Sequence, residues 1–562
     1  MMNHNKQQTL LDDIQHWATY TPNDPWLIED WSQGKQVINW QQGVQSISHA
    51  SAWLAQHVTP GSRVGLLSNN CAHWVLSDLA IMGSGNVTVP LFSTMSAEVF
   101  EYVSEFSNIS TLFLGPAANW EEVRDTLPKH IAIVRLPGAP QVQADNVYEW
   151  QDIVAIGACL TPAPKVKGDN LATIIFTSGT TGKPKGVMHS LDSLRAGGIS
   201  SGTLMQANQQ GRALSYLPLA HVGERNVVEV TSAIFGVSVY FNENLTTFLN
   251  DMRKAQPTFF MGVPRIWENL QSAVKGHLDT LTKNLKANPA AVKKASREFL
   301  GLDHCQYILT STAATATPLK EWYDKLGLTL HDAYGQTELL PITANRIDNH
   351  KANSIGLAAP GVEVRISQQG EIQARSQATS LGYYKMPQAS ANTILPLGWV
   401  CTGDKGFIDD DHHVIITGRI KEIFKTGKGK YVAPAPIEGL FLDHSFVEQV
   451  CLTGSGQPQT IMIAVLSQKA KLAEPRQVEA ELLSHMAAIN GTIEKHAAMG
   501  ALVLSHTPWT QQNGLLTHTM KMKRAQVEKH FAQHVQAAGI RMRDDDKKPF
   551  VLMPMPHLSP VA

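Results

Sequence analysis

The sequence predicts an α/β protein with a large N-terminal domain and a small α+β C-terminal domain. Helix-like and strand-like segments alternate early in the chain, at 43–57, 63–68, 72–82 and 86–90. A second alternation runs over 213–309. Repeated β–α–β order is typical of parallel sheets covered by helices. We therefore expect the large domain to contain two subdomains, each a parallel or mixed sheet with its helices.

The pattern changes after Ser354 to short strands separated by glycine turns, which predicts a small antiparallel β-barrel or meander. Beyond Ile420 the pattern becomes mixed α+β, and four prolines mark an irregular end. We predict an N-terminal domain at 1–420, a C-terminal domain at 421–545 and an irregular tail at 546–562. A lysine- and alanine-rich stretch after Trp267 predicts a surface pair of helices.

Composition places the chain among globular proteins, with 43% apolar residues, 17% charged residues and a net charge of -1. This balance argues against nucleic-acid binding and against broad attraction to anionic lipid. Five scattered cysteines indicate reduced thiols, and no apolar run approaches the roughly 18 residues of a membrane span. The polar start lacks the features of a signal peptide. We expect a cytoplasmic location, with peripheral membrane contact and a homodimer left open.

The 22 histidines do not by themselves predict a metal site. The adjacent pair His412-His413 follows three aspartates and is expected at a solvated hairpin tip.

The most informative segment is LATIIFTSGTTGKPKGVMHS, from Leu171 to Ser190. An apolar β-prone run leads into a loop of Gly, Ser, Thr and Lys. Small residues let backbone N–H groups approach an anion, hydroxyls add donors, and Lys183 and Lys185 add positive charge. The loop is therefore suited to a polyphosphate; a flexible Ser/Gly linker is the alternative.

A Walker loop does not fit this segment, because Gly179 is followed after two residues by Gly182-Lys183-Pro184. A P-loop kinase or transport ATPase is therefore disfavoured. Instead, Thr177 to Gly186 resembles the phosphate-binding signature of the adenylate-forming superfamily, which includes acyl-CoA synthetases, luciferases and peptide-synthetase adenylation domains. The resemblance implies that ATP or AMP is bound by Thr177, Ser178, Gly179, Thr180, Thr181, Gly182 and Lys183.

Tyr334-Gly335-Gln-Thr337-Glu338 resembles the second signature of this superfamily. The resemblance implies that Tyr334 and Gly335 bind the nucleotide and that Thr337 lies near the α-phosphate. It also implies that Thr337 and Glu338 are catalytic residues and that Glu338 holds Mg²⁺, a role suited to a carboxylate beside phosphate oxygens. An ordinary turn that starts a helix is the alternative.

Three further resemblances lie downstream. Gly398-Trp-Val-Cys-Thr-Gly-Asp404 is similar to the third signature, in which the aspartate accepts hydrogen bonds from the ribose hydroxyls. Gly418-Arg419-Ile-Lys421 resembles the junction to a mobile C-terminal domain, with Arg419 on ribose or phosphate and Lys421 as the hinge. The stretch from Asn513 to Arg524 resembles the one that carries the catalytic lysine of long-chain acyl-CoA synthetases. That alignment assigns the role to Lys521, with Lys523 as a weaker candidate.

Two segments, 215–225 and 262–268, look like those of long-chain and very-long-chain acyl-CoA synthetases. By this resemblance His221 borders the acyl pocket; core packing is the alternative for His221 and for Trp267. The acyl pocket is also expected to include Ser311, Thr312 and Ala313. In this loop Thr312 and Thr315 replace the glycine and proline usual in the family, which predicts an altered adenine and acyl site.

The resemblance, which spans about residues 38–530, implies an AMP-forming fatty acid–CoA ligase. Mg²⁺ would be the cofactor, and a fatty acid, ATP and coenzyme A the substrates. An acyl-AMP ligase that transfers the acyl group to a carrier protein or another acceptor is the first alternative. A protein that binds nucleotide or acyl-adenylate without turnover is the second.

Overall fold

The computed structural model describes residues 8–128, 131–177, 183–284, 288–313, 315–517, 521–544 and 549–552. The chain divides into two compact units. The first unit comprises residues 1–311, 323–365 and 373–401, and the second comprises residues 312–322, 366–372 and 402–562. The predicted domain boundary between residues 420 and 421 stays a prediction.

Strands are numbered in chain order. Before residue 200 they are β1 (Pro25–Trp31), β2 (Gly34–Asn39), β3 (Arg63–Leu67), β4 (Val87–Leu91), β5 (Ile109–Leu114), β6 (Ala132–Arg135), β7 (Val147–Glu149), β8 (Leu171–Thr177) and β9 (Lys185–Ser190). From 200 to 360 they are β10 (Arg212–Ser215), β11 (Ser238–Phe241), β12 (Phe259–Gly262), β13 (Tyr307–Thr310), β14 (His331–Gln336), β15 (Leu339–Ala344) and β16 (Leu357–Ala358). The later strands are β17 (Glu363–Ile366), β18 (Glu371–Arg375), β19 (Gly382–Tyr383), β20 (Ile394–Leu395), β21 (Trp399–Ile408), β22 (Val414–Arg419), β23 (Phe424–Lys425), β24 (Tyr431–Val432), β25 (Val447–Thr453), β26 (Thr460–Leu466), β27 (Met499–Ser505) and β28 (Phe550–Leu552).

Helices are numbered in the same way. In the first half of the chain they are α1 (Leu10–Tyr20), α2 (Trp40–His57), α3 (Ala72–Gly83), α4 (Ala97–Ser107), α5 (Trp120–Val123), α6 (Trp150–Gly157), α7 (Leu191–Leu204), α8 (Val222–Glu224), α9 (Thr231–Phe235), α10 (Phe248–Ala255) and α11 (Pro264–Asn284). The later helices are α12 (Pro289–Leu300), α13 (Thr317–Lys325), α14 (Pro387–Thr393), α15 (Pro434–Leu442), α16 (Gln468–Lys471), α17 (Pro475–Asn490), α18 (Arg524–His530) and α19 (Ala532–Asp544). A π-helix, Arg225–Val230, joins α8 to α9, and short 3₁₀ turns lie at Arg124–Thr126, Pro396–Gly398 and Ile420–Glu422.

The largest sheet of the first unit has the order β19-β9-β8-β4-β3-β5-β6-β7. Within the run β8-β4-β3-β5-β6-β7, each strand is parallel to the next. Strand β9 is antiparallel to β8, and β19 is antiparallel to β9. Every residue of β4 is buried, as expected where helices cover both faces of a parallel sheet. This arrangement confirms the predicted α/β class.

Two further sheets belong to the first unit, with the orders β10-β11-β1-β2 and β12-β13-β14-β15-β16. The β1 to α2 region is anchored by Trp26 and Trp40, whose rings stack 4.3 Å apart. Helix α2 begins where Asn39 accepts a hydrogen bond from the backbone of Gln42 and the Gln42 side chain accepts one from Asn39 N–H. The lysine-rich stretch after Trp267 forms α11 and α12, which confirms the predicted helical pair.

The region predicted as a small β-barrel or meander forms a sheet with the order β17-β18-β21-β20, to which β22 adds through β21. In the second unit β21 and β22 are joined by the turn that carries His412 and His413. His412 has a φ of 65°, as a tight turn requires. His413, however, is buried, so the prediction that both histidines are solvated is wrong for His413.

The second unit also contains the sheet β25-β26-β27-β28, in which β25 is antiparallel and the other neighbours are parallel. Helices α15 and α17 pack on it around buried Phe441, Leu482 and Met486. Strand β28 lies in the segment that the sequence predicted as an irregular tail. It forms because Phe550–Leu552 is an apolar β-prone run that can pair with β27. Residues 553–562 lie outside the described residues.

Candidate active site

The predicted phosphate loop lies between the antiparallel strands β8 and β9. At its base Thr177 pairs with Lys185, and the Thr177 hydroxyl donates to the Lys185 carbonyl oxygen at 3.4 Å. Lys183 is exposed, and its ammonium lies 4.8 Å from the centroid of the Tyr102 ring. The predicted ligands between these ends, Ser178, Gly179, Thr180, Thr181 and Gly182, lie outside the described residues.

The second predicted signature forms the end of β14 and the turn into β15, not the start of a helix. Gln336 pairs with Leu339, so Thr337 and Glu338 form the two-residue connection between the strands. A Cβ atom on Gly335 would lie 2.5 Å from Leu340, so a larger residue would crowd the hairpin. In the same strand, the Gln336 amide donates to the Tyr334 hydroxyl at 3.0 Å.

A buried histidine supports the Thr337–Glu338 turn. His189 Nε2 lies 2.7 Å from the Thr337 carbonyl oxygen, and Nδ1 lies 3.1 Å from the Ser193 hydroxyl. A carbonyl oxygen can only accept, so Nε2 carries the ring proton. Burial lowers the pKa of His189 to about 4, so the imidazole is neutral near pH 7. The turn is also held by the Ser380 N–H, which donates to the Glu338 carbonyl oxygen at 2.9 Å.

The Glu338 carboxylate is fixed by a residue that the sequence analysis did not select. The Tyr383 hydroxyl donates to Glu338 Oε1 at 2.5 Å. Burial, together with the neighbouring Glu338 carboxylate, raises the pKa of Tyr383, so the phenol keeps its proton and remains a donor. Lys185 also contacts this phenol, with its ammonium 4.7 Å from the ring centroid.

Two of the predicted acyl-pocket residues, His221 and Ser311, form hydrogen bonds with the backbone, and a third, Thr312, has an unusual backbone conformation. His221 caps α8, since its Nδ1 accepts from the Gly223 N–H at 3.1 Å. In the first unit the Ser311 hydroxyl donates to the Ala333 carbonyl oxygen at 2.9 Å. Thr312 has a φ of 76°, a left-handed conformation that favours glycine. Ala313 follows it in the described chain. Thr312 therefore occupies a backbone geometry that suits the glycine usual in the family.

The segment around His221 also contains a buried charge cluster. Arg225 pairs with Asp78, donates to the Thr173 hydroxyl at 2.7 Å and lies 3.4 Å from Glu229 Oε2. Nearby, Glu224 accepts from the Tyr216 N–H at 2.9 Å, and burial raises its pKa to about 8. Trp267 is fully buried, with its ring against Phe260 and Tyr323. Trp267 is therefore a core residue.

In the second unit the structure brings together the predicted Asp404 and Arg419. They are opposite each other across β21 and β22, and Arg419 Nε donates to Asp404 Oδ1 at 2.9 Å. Asp404 is buried, whereas Arg419 is about half exposed. The adjoining Gly403 N–H donates to Glu371 Oε1 at 2.8 Å. Lys421 lies two residues beyond Arg419, in an exposed 3₁₀ turn.

The predicted catalytic Lys521 is exposed and lies just before α18. Its backbone N–H donates to the Thr517 hydroxyl at 3.0 Å, and its carbonyl oxygen accepts from the Thr517 N–H at 2.7 Å. Three residues later Arg524 is partly buried and pairs with Glu438 at 2.8 Å and Glu422 at 3.5 Å. Arg524 therefore has a structural role in this unit.

Within the described ranges, no group of three or more His, Cys, Asp or Glu side chains is placed to hold a metal ion. The five cysteines are free thiols. A search of the described helices finds none with the length and apolarity needed to cross a membrane.

The sequence of this chain matches two family models. An AMP-binding enzyme model matches residues 14–384, more than half of the 562 residues, and an AMP-binding enzyme C-terminal domain model matches residues 422–539. The chain belongs to the AMP-binding enzyme family. The family and the fold class predicted from the sequence are thereby confirmed.

Relatives of this AMP-binding enzyme are named as long-chain-fatty-acid–CoA ligases. FadD15 of Mycobacterium bovis is 27% identical over 543 residues, covering 85% of this chain and 88% of the relative. The ligase heimdall of Drosophila melanogaster is 29% identical over 445 residues, covering 69% of this chain and 65% of the relative.

Solved structures share the fold. The adenylation domain of a carboxylate reductase from Mycobacterium chelonae has a TM-score of 0.78 at 18% identity, covering 95% of this chain and 91% of that chain. An anthranilate CoA ligase, solved with anthranoyl-AMP, has a TM-score of 0.77 at 18% identity, covering 95% and 99%.

Proposed function

We propose that this AMP-binding enzyme activates a long-chain fatty acid in two steps. In the first, a carboxylate oxygen attacks the α-phosphorus of ATP, pyrophosphate leaves, and an acyl-adenylate forms. In the second, the thiolate sulfur of coenzyme A attacks the acyl carbon, AMP leaves, and a thioester forms. The observation that carries this proposal is the Glu338 carboxylate, which accepts a hydrogen bond from Tyr383. It lies in a turn that His189 supports through the Thr337 carbonyl oxygen, and both residues belong to strands beside the predicted phosphate loop.

Glu338 has the chemistry of a magnesium ligand. Mg²⁺ in nucleotide sites is bound through one or two carboxylates together with substrate phosphates. Tyr383 donates to Oε1 and thereby orients the carboxylate with which Glu338 would hold Mg²⁺. When bound, Mg²⁺ would neutralise charge on the phosphate oxygens.

The nucleotide roles predicted from the sequence remain part of the proposal. Thr177, Lys183 and the loop between them bind phosphate, and Thr337 lies near the α-phosphate. Tyr334 and Gly335 receive the adenine. Asp404 accepts from the ribose hydroxyls, and its position is supported by Arg419, which holds one carboxylate oxygen.

The acyl and C-terminal roles are also proposals. His221 and the loop Ser311–Ala313 line the acyl pocket. Lys521 supplies the positive charge that lets two anions approach during adenylate formation. Lys421 is the hinge whose backbone torsions change between the two steps. Coenzyme A as acceptor, a homodimer, and a cytoplasmic location with peripheral membrane contact belong to the same proposal.

A carboxylic-acid panel from acetate to very long chains tests the function. ATP–pyrophosphate exchange is measured for each acid, with and without coenzyme A. We expect exchange with long-chain acids, and acyl-CoA with AMP when coenzyme A is added. Exchange without acyl-CoA formation would favour transfer to a carrier protein. If none of these acids supports exchange or acyl-AMP formation, the proposal is wrong.

A further inference from the structure

Tyr383 contacts two charged groups of opposite sign. Its hydroxyl donates to Glu338 Oε1 at 2.5 Å, and the Lys185 ammonium lies 4.7 Å from the centroid of its ring. Tyr383 is itself buried, with 7% of its surface exposed. A side chain packed this tightly has little freedom to move away from either group.

Strand register explains why the tyrosine meets the lysine. Tyr383 lies opposite Val187 in the antiparallel pair of β19 and β9. Lys185 precedes Val187 by two residues, so both point to the same face of the sheet. Lys185 and Tyr383 are thus diagonal cross-strand neighbours, a distance that aromatic and long side chains can bridge. The contact therefore follows from backbone pairing.

The same geometry keeps the two charges apart. A carboxylate and an ammonium that both contact one tyrosine could instead form a direct ion pair. Within the described part of the chain, no ion pair of 4.0 Å or less joins Lys185 to Glu338. Such a pair would neutralise both groups and compete with a bound nucleotide for each of them. The phenol offers each charge a separate contact: its hydroxyl for the carboxylate and its ring face for the ammonium.

We propose that Tyr383 is a positioning residue that holds Glu338 and Lys185 apart, so that the carboxylate is available to a nucleotide-bound cation and the ammonium to the phosphates. This inference rests on the function proposed for Glu338. It predicts that the Tyr383 hydroxyl affects the affinity for the cation and that this effect can be measured separately from the affinity for the nucleotide without a cation.

The test uses the full chain, with Mn²⁺ as a paramagnetic probe. Binding of Mn²⁺ with ATP is followed by electron paramagnetic resonance, and binding of ATP alone is measured calorimetrically in EDTA. Tyr383→Phe removes the hydroxyl and keeps the ring. We expect it to weaken Mn²⁺ binding about 10- to 100-fold, as is typical when a residue supporting a metal ligand is removed. ATP affinity in EDTA should not change, because the phenylalanine ring keeps the contact with the Lys185 ammonium.

The neighbouring Tyr384→Phe is the matched control, and it should leave both affinities unchanged. In a double-mutant cycle, adding Tyr383→Phe to Glu338→Gln should cause no further loss of Mn²⁺ affinity, because the tyrosine acts through the carboxylate. Lys185→Gln should weaken ATP binding in EDTA and leave the additional affinity due to Mn²⁺ unchanged. That variant tests the separation of charges even if Tyr383→Phe does not fold.

The outcomes separate the two proposals. A wild-type chain that binds Mn²⁺ with ATP, alongside a folded Tyr383→Phe that binds it equally well, overturns the inference alone. A change in the Mn²⁺ contribution on Lys185→Gln also overturns it. A wild-type chain that binds no ATP with or without Mn²⁺ overturns the proposed function, and the inference with it.

Discussion

Replacing Arg225 by methionine should strongly destabilise the first unit. The guanidinium is 1% exposed, and it contacts the Asp78 carboxylate, which is 0% exposed. Burial, followed by the nearby Asp78 carboxylate, raises the pKa of Glu229 well above its ordinary value. Arg225→Met would leave the Asp78 charge buried without its partner.

Breaking a buried pair from one side costs about 3–5 kcal/mol, because the remaining charge has neither water nor a partner. The Thr173 hydroxyl also loses the donor that lies 2.7 Å away. We therefore expect the free energy of unfolding of the first unit to fall by about 3–5 kcal/mol, measured by urea denaturation of the full chain near pH 7.5.

Arg124→Met is the matched control for this prediction. Arg124 pairs with Glu121 at 2.7 Å, but the two side chains are 50% and 72% exposed. Exposed pairs of this kind contribute at most about 1 kcal/mol. The double variant Arg225→Met with Asp78→Asn should recover much of the lost stability by removing the buried charge. If Arg225→Met costs no more than Arg124→Met, the reasoning from burial is refuted.

Three further predictions follow from single residues. Burial raises the pKa of Glu224 from 4.5 to about 8, so the folded chain binds this proton more tightly than the unfolded chain does. The contribution of protonated Glu224 to the free energy of unfolding is therefore fully present below pH 4.5 and is lost as the pH rises through 8. In the wild-type chain the free energy of unfolding should therefore fall by up to about 1.4 kcal/mol per pH unit between pH 4.5 and 8 because of Glu224, and Glu224→Gln should abolish this fall. The same pH dependence in both chains would contradict this prediction. Thr312→Gly should stabilise the chain slightly. The left-handed φ strains threonine by about 1–2 kcal/mol, whereas the greater entropy of glycine in the unfolded chain costs only about 0.5–1 kcal/mol. A lower unfolding midpoint for the variant would contradict this prediction. Lys521→Ala should reduce the rate of adenylate formation about 100- to 1000-fold and leave thioester formation from supplied acyl-adenylate unchanged. The control Lys523→Ala should leave both steps unchanged. Equal loss of both steps in Lys521→Ala would show that the assignment is wrong.

Much of the fold could be predicted because it depends on local pattern. The strand expected at 63–68 is observed at Arg63–Leu67, and the helix expected at 72–82 is observed at Ala72–Gly83. Period and turn residues determine these elements within a short window. His413 shows the limit of such a window. Its neighbours are three aspartates and an exposed histidine, yet the turn directs its ring into the protein.

Site residues could be predicted from the sequence where they belong to one continuous motif. The residues that hydrogen-bond to that motif could not, because they lie far from it along the chain. Thr337 and Glu338 belong to one five-residue pattern. Tyr383 lies 45 residues from Glu338, and His189 lies 148 residues from Thr337. Nothing in the local sequence of either residue indicates such a partner. Only the order of β19, β9 and β8 brings the tyrosine to the phosphate-loop strands.

The supporting residues explain how a short turn can hold a reactive carboxylate. Thr337 and Glu338 occupy a two-residue connection whose own strands fix only its ends. His189 contacts the carbonyl oxygen of Thr337, the Ser380 N–H contacts that of Glu338, and Tyr383 contacts the Glu338 side chain. His189 and Tyr383 lie on strands β9 and β19, which are paired with each other. A change in the register of these two strands would move the carboxylate, so the position of Glu338 depends on the sheet and not on the turn alone.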